Sequence, residues 1–300
     1  MSTLTGQKHA RLPETLMKVL PAFAVAIALT TPVVAADYEI EGFEKIPYKT
    51  VDDRTLHLFV GRPSADAATP VPAVVFFHGG GWTGGKPTQF APQATHLTER
   101  GLVTVLVEYR LRERGVDKTP EKCVRDAKSA VRFVRAHAAE FGIDPDRIAV
   151  GGGSAGGHLA AFVGCVDGGD DPADDLSVPT KPQAMLLFNP VCDNGPGEWG
   201  HKSVGPDHTV FSPAHNLSAD DPPAAYMLGD GDKLIPVSTA ERFRDNLTAV
   251  GVRCDLHIYE NAGHGFFNYR KRDRRFYFET LATADAFLVD LGWLPEGGEG

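Results

Sequence analysis

Hydrophobic residues in this chain come as short runs, at 73–77, 102–107, 147–150, 184–188, 224–228 and 256–259, broken only by Thr104, Arg147 and His257. Runs of this length with so little polar interruption belong to strands covered on both faces, as in parallel sheets. Between them the pattern changes to a helical period, and 89–100, 119–141, 158–163, 237–250 and 275–291 are expected as helices. In 119–141 the apolar residues Val124, Ala127, Val131, Val134 and Ala138 recur at three- and four-residue spacing, one face for a sheet. Thr119 is expected to cap that helix, with Pro120 at its first position and Glu121 at the positive end of its dipole. Ahead of these, 42–49 and 55–60 alternate and are joined by Asp52-Asp53-Arg54, a hairpin signal. Strands alternating with helices predict an α/β class. The expected architecture is a mostly parallel central sheet, an N-terminal antiparallel hairpin and helices on both faces. Only 191–222 shows no period; it is rich in Gly, Pro, Asp and His. Because it joins two core strands, it is expected to wall a pocket with Trp199, Phe211 and His215.

The first 36 residues change the domain count. Lys8, Arg11 and Lys18 make a basic start, 19–34 is almost free of polar groups, and Val33-Val34-Ala35-Ala36 suits a signal peptidase. A signal peptide over 1–36 followed by one domain over 37–300 is therefore expected, in a secreted or periplasmic protein with no membrane anchor after cleavage. A retained anchor would need roughly twenty apolar residues, and Pro21 and Pro32 interrupt this shorter run. The net charge of −9 leaves no basic footprint for nucleic acid or anionic lipid. The run Arg270-Lys271-Arg272-Asp273-Arg274-Arg275 is expected to be a solvated helix start, with an anionic partner as the alternative. Cys123, Cys165, Cys192 and Cys254 lack metal-site spacing and are expected as buried thiols with at most one disulfide, its pairing open.

Chemistry enters at Gly151-Gly152-Gly153-Ser154-Ala155-Gly156-Gly157, between an apolar run and a helical one. Gly152 to Gly156 fits Gly-x-Ser-x-Gly, a sharp strand-to-helix turn that aims a serine hydroxyl outward. A phosphate cradle is the competing reading of such a loop, but the lysine of a phosphate loop is missing. A serine hydroxyl needs a base, and the base an orienting acid. Asp232, in a loop off the 224–228 strand, is the chosen acid, with Asp230 its rival. His264, between glycines after the last strand, is the chosen base. His158 and His257 fit the core and a strand face instead. His78-Gly79-Gly80-Gly81-Trp82 follows a buried strand, as a donor loop for a developing oxyanion should. Two of Gly79, Gly80, Gly81 and Trp82, with Gly80 and Gly81 the first choice, are the expected donors, joined by Ala155; His78 is expected to brace the loop. Trp82 and Trp199 are the expected pocket walls.

Together, His-Gly-Gly-Gly-Trp, the serine turn, Gly-Asp-Gly-Asp-Lys-Leu-Ile-Pro and Ala-Gly-His-Gly-Phe resemble an α/β-hydrolase of the esterase/lipase superfamily. The likeness covers roughly 40–290. It is closest to secreted bacterial acetyl-xylan and feruloyl esterases, and the glycine loop is similar to that of the hormone-sensitive-lipase group. The resemblance implies an α/β-hydrolase fold without a large cap domain, an open site and a serine esterase of short acyl groups on small molecules or oligosaccharides. It implies no cofactor and no metal. An arylformamidase or amidase, a lipase, and a non-catalytic binding protein on the same fold are the alternatives. Oligomeric state stays open.

Overall fold

The computed structural model describes residues 2–3, 38–64, 69–271 and 273–296, so the leader expected over 1–36 lies outside the described residues apart from Ser2 and Thr3. Eight strands make one sheet in the order β1-β2-β4-β3-β5-β6-β7-β8. They are β1 (Glu44–Val51), β2 (Arg54–Gly61), β3 (Val71–Phe77), β4 (Val103–Val107), β5 (Ile143–Gly153), β6 (Ala184–Phe188), β7 (Ala224–Gly229) and β8 (Cys254–Tyr259). The hairpin β1–β2 is antiparallel and joins β4 antiparallel; every pairing from β4 through β3 to β8 is parallel. This is the α/β architecture that the alternating pattern predicts. The exposed edge strand β1 carries a register shift between Pro47 and Lys49, the place where a proline without an N–H is tolerated.

The helices are α1 (Ala91–Glu99), α2 (Glu121–Ala136), α3 (Ala138–Phe141), α4 (Ala155–Cys165), α5 (His201–Val204), α6 (His208–Phe211), α7 (Val237–Ala249) and α8 (Arg275–Asp290). Alternate residues of each strand feed two separate cores. Val75, Phe77 and Val105 pack with α2, α4 and α7, while Val74, Phe76 and Leu106 pack with α1 and α8. That division explains the apolar runs: a strand with a helix layer on each side has no face left for polar residues.

Two helical expectations need correction. The helix expected over 119–141 is two, because His137 leaves the helical conformation (φ −104°, ψ 20°) and turns its imidazole back to donate to Phe133 O at 2.9 Å. Its cap is Pro120 and not Thr119, with no side-chain hydrogen bond closing the end. The aperiodic stretch 191–222 resolves into α5, α6 and two 3-10 turns, each of three or four residues. Elements that short leave no period to read. All four cysteines are buried and unpaired. Residues from Tyr38 onward form one compact unit.

Candidate active site

Parallel strands bring their carboxyl ends to one edge, and the pairing there sets the site. Gly153 lies beside Phe188 at the end of β5, and Gly229 beside Tyr259 at the ends of β7 and β8. Ser154, Asp232 and His264 follow those ends by one, three and five residues. Ligand sites of open α/β sheets form at this edge.

Ser154 is held at φ 54°, ψ −117°, a backbone region costly for a residue with a Cβ, by about 1–3 kcal/mol. The neighbours explain how the turn survives. Ser154 N–H donates to Phe188 O at 3.0 Å, and its carbonyl accepts from His158 N–H at 2.9 Å. A Cβ on Gly152 would stand 2.7 Å from Phe77 O, and one on Gly156 would overlap the carbonyls of Phe77 and His78. Glycine two residues either side is thus a packing requirement of strand against helix.

His264 Nδ1 donates to Asp232 Oδ2 at 2.7 Å, which leaves Nε2 to accept from Ser154 Oγ at 2.9 Å. Asp232 Oδ1 accepts from Leu234 N–H at 2.8 Å and Ile235 N–H at 3.1 Å. Burial pushes its carboxyl up, but the His264 bond and these two amides outweigh that and hold it below the usual carboxylate range. The side chain of Asp232 is fully buried while that of His264 keeps 24% of its surface, so the imidazole alone faces the cleft. The rival Asp230 is occupied elsewhere: its Oδ1 accepts from Asn261 N–H at 2.7 Å and fixes the turn after β8.

In the glycine loop, Gly81 and Trp82 sit at φ 62° and 60°, and Thr83 N–H closes the turn onto Gly80 O at 3.2 Å. Gly79 N–H is spent on Gln89 Oε1 at 2.6 Å. Among the described residues no protein acceptor meets the N–H of Gly80 or Gly81. Ala155 opens α4, where an N–H has no partner within its own helix. His78 braces the loop: its Nδ1 donates to Gly79 O at 2.8 Å, and Tyr109 Oη donates to His78 O at 2.6 Å. Burial lowers its pKa to about 4, so it is neutral.

The expected pocket walls are placed differently. Trp82 keeps 1% of its surface; its left-handed backbone turns the indole inward, where Nε1 donates to His158 Nδ1 at 3.3 Å. Trp82 therefore supports the donor loop from behind and does not wall the cleft. Half-buried Trp199 packs on it at 5.3 Å between rings and lies next to Gly81. His158 is a core histidine: Nε2 donates to Phe211 O at 2.8 Å, and burial lowers its pKa to about 4. Phe211 is buried under the same contact, and His215 bonds Ser212 Oγ at 2.9 Å.

Three residues had no signal in sequence. Gln89 also donates from Nε2 to Asn268 Oδ1 at 3.0 Å, Asn268 donates to Gly265 O at 2.8 Å, and Gly265 N–H donates to Asn189 Oδ1 at 3.0 Å. This chain of bonds ties the donor loop to the histidine loop. Gln, Asn and Asn at 89, 189 and 268 fit no spacing rule, because their partners are backbone groups and one another, brought together only by the sheet. A cavity of about 680 Å³ opens against this strap, lined by Gly80, Lys86, Gln89, Tyr269, Arg270 and Lys271 among others.

With this geometry in hand, similarity to known proteins is informative. The BD-FAE family model matches residues 61–194, and the dienelactone hydrolase family model matches 207–296. Carboxylesterase NlhH of Mycobacterium tuberculosis is 30% identical over 225 residues, covering 66% of this chain and 67% of that protein. Esterase LipC of the same organism is 29% identical over 244 residues, 72% of this chain and 58% of LipC. The chain spans only about half the length of some curated relatives, 50% for LipM. The structure of esterase 2 from Thermogutta terrifontis superposes with a TM-score of 0.81 at 39% identity, covering 86% of this chain and 98% of that one.

Proposed function

This chain belongs to the α/β-hydrolase esterases of the hormone-sensitive-lipase-like group, and from that premise we propose that it is a serine esterase of short-acyl carboxylic esters. One observation carries the proposal: the continuous relay Asp232–His264–Ser154 at 2.7 and 2.9 Å, beside three N–H groups that meet no protein acceptor among the described residues. Ser154 Oγ attacks the ester carbonyl as His264 Nε2 takes its proton. Gly80, Gly81 and Ala155 N–H receive the oxyanion, each donor contributing roughly 2.7–4 kcal/mol to lowering the barrier. The imidazolium returns the proton to the leaving alcohol, and water repeats the sequence on the acyl-enzyme. Asp232 holds the tautomer and stabilises the cation.

Short acyl groups are supported by a site edge that, among the described residues, carries only three- and four-residue helical pieces and no cap domain. The Thermogutta esterase is known bound to propionate and to butyrate, and phosphorylated by paraoxon. Carbohydrate esters as the physiological class and export through the 1–36 leader complete the proposal, on the sequence features given above.

The test is hydrolysis of p-nitrophenyl acetate, butyrate, octanoate and palmitate, beside acetylated xylan and methyl ferulate. Rates should fall with chain length, and Ser154→Ala should lose at least about 10⁴-fold in kcat while keeping its fold. Unchanged turnover in that variant overturns the assignment, and a preference for octanoate or longer overturns the short-acyl part. N-terminal sequencing of exported protein, expected to begin at Ala36 or Asp37, tests the leader.

A further inference from the structure

The acidic balance of this chain, 39 Asp and Glu against 30 Lys and Arg, makes any cluster of unpaired cations conspicuous. On the other side of the functional face, Arg242 holds Asp193 at 2.9 Å and Glu198 at 2.6 Å. The basic run after the histidine loop divides in two. Arg274 donates to Tyr269 Oη at 2.8 Å with its guanidinium 4.1 Å from the centre of that ring, and Arg275 pairs with Glu279 at 2.7 Å. Arg270 and Lys271 have no such partner among the described residues, and neither does Lys86 across the cavity. All three are exposed, and all three line the roughly 680 Å³ cavity that begins at Gly80. Among the described residues no Asp or Glu lines it.

We propose that this cavity is a subsite for a carboxylate carried by the ester substrate, held by Lys86, Arg270 and Lys271 beside the donor loop. The inference rests on the esterase reading and narrows it to acidic esters. Three like charges around one recess repel each other and gain from an anion seated among them. Tyr269, fixed by Arg274, supplies an aromatic wall, and Gln89 ties the floor to Gly79 and Asn268. Because Gly80 belongs both to the cavity and to the donors, a carboxylate held there sits on the same molecule as the carbonyl under attack.

The experiment compares the whole protein with a Lys86→Gln/Arg270→Gln/Lys271→Gln variant on two matched pairs. p-Nitrophenyl hydrogen succinate against p-nitrophenyl butyrate places the charge on the acyl side; 4-carboxyphenyl acetate against phenyl acetate places it on the alcohol side. The readout is the anionic-to-neutral ratio of kcat/KM, whose change between proteins cancels intrinsic reactivity. At low salt that ratio should drop about tenfold in the variant for at least one pair, which also reports the side that enters. The wild-type ratio should itself shrink as salt is raised. A drop below about threefold in both pairs overturns the subsite while leaving the esterase intact. If the wild type hydrolyses none of the four esters, the esterase reading fails and the subsite with it.

Discussion

Asp230 and Asp232 stand two residues apart in one loop, and hydrogen bonding alone separates their roles. Asp232 offers one oxygen to His264 and the other to two amides, whereas Asp230 holds the backbone of Asn261. Asp232→Asn, which cannot hold the Nδ1–H tautomer, should lower kcat by about 10⁴-fold. Asp230→Asn should cost tenfold or less, and equal losses in the two variants would reverse the assignment. Gln89 acts at one remove, as a positioning residue that fixes Gly79 and, through Asn268, the histidine loop. Gln89→Ala should reduce kcat roughly 10–100-fold, a fraction of the 10²–10³ that a whole oxyanion donor supplies, with KM changed less. A KM effect without a kcat effect would show that Gln89 touches substrate and does not set the donor loop.

At the scale of elements, the parallel strands were legible because burial on both faces writes itself as a nearly unbroken apolar run. The serine turn was legible because steric crowding writes itself as glycine. Gly156→Ala would force a Cβ into the carbonyls of Phe77 and His78, backbone atoms of β3 and its loop that have nowhere to move. That variant should be destabilised by more than about 3 kcal/mol or fail to accumulate, as read by urea unfolding. Wild-type stability would mean the turn is looser than its packing indicates. What stayed hidden depends on contacts between distant elements. The stretch 191–222 is held by Arg242 of α7 gripping Asp193 and Glu198, by Thr239 donating to Glu198 at 3.0 Å, and by Trp199 lying on Trp82. None of those pairings has a local period. The inward turn of Trp82 was hidden for the same reason: an aromatic beside a glycine loop looks like a wall until His158 is found behind it.

For the molecule as a whole, His78 and His158 set the response to acid. Each is fully buried, neutral and bonded on the donor-loop side of the sheet, with its pKa lowered from 6.5 to about 4 chiefly by desolvation. Between those values the unfolded chain binds protons that the folded one refuses, so ν_U exceeds ν_N and stability rises with pH. Their contribution is therefore complete above about pH 6.5 and is lost progressively as pH falls toward 4. The slope is about 1.4 kcal/mol per pH unit for each histidine. The depressed carboxyl of Asp232 adds its own loss only once pH falls through the ordinary carboxylate range. Urea unfolding of the wild type at pH 7, 6 and 5 should thus report a net uptake approaching two protons, and His158→Gln should reduce it by one. If that variant does not fold, the wild-type slope still decides the matter, since stability unchanged from pH 7 to 4.5 would mean that neither imidazole is held neutral. Only as pH nears 4 does the folded protein take up the proton, and at His158 it would land on Nδ1, which accepts from Trp82 Nε1, breaking the contact that holds Trp82 behind the donor loop.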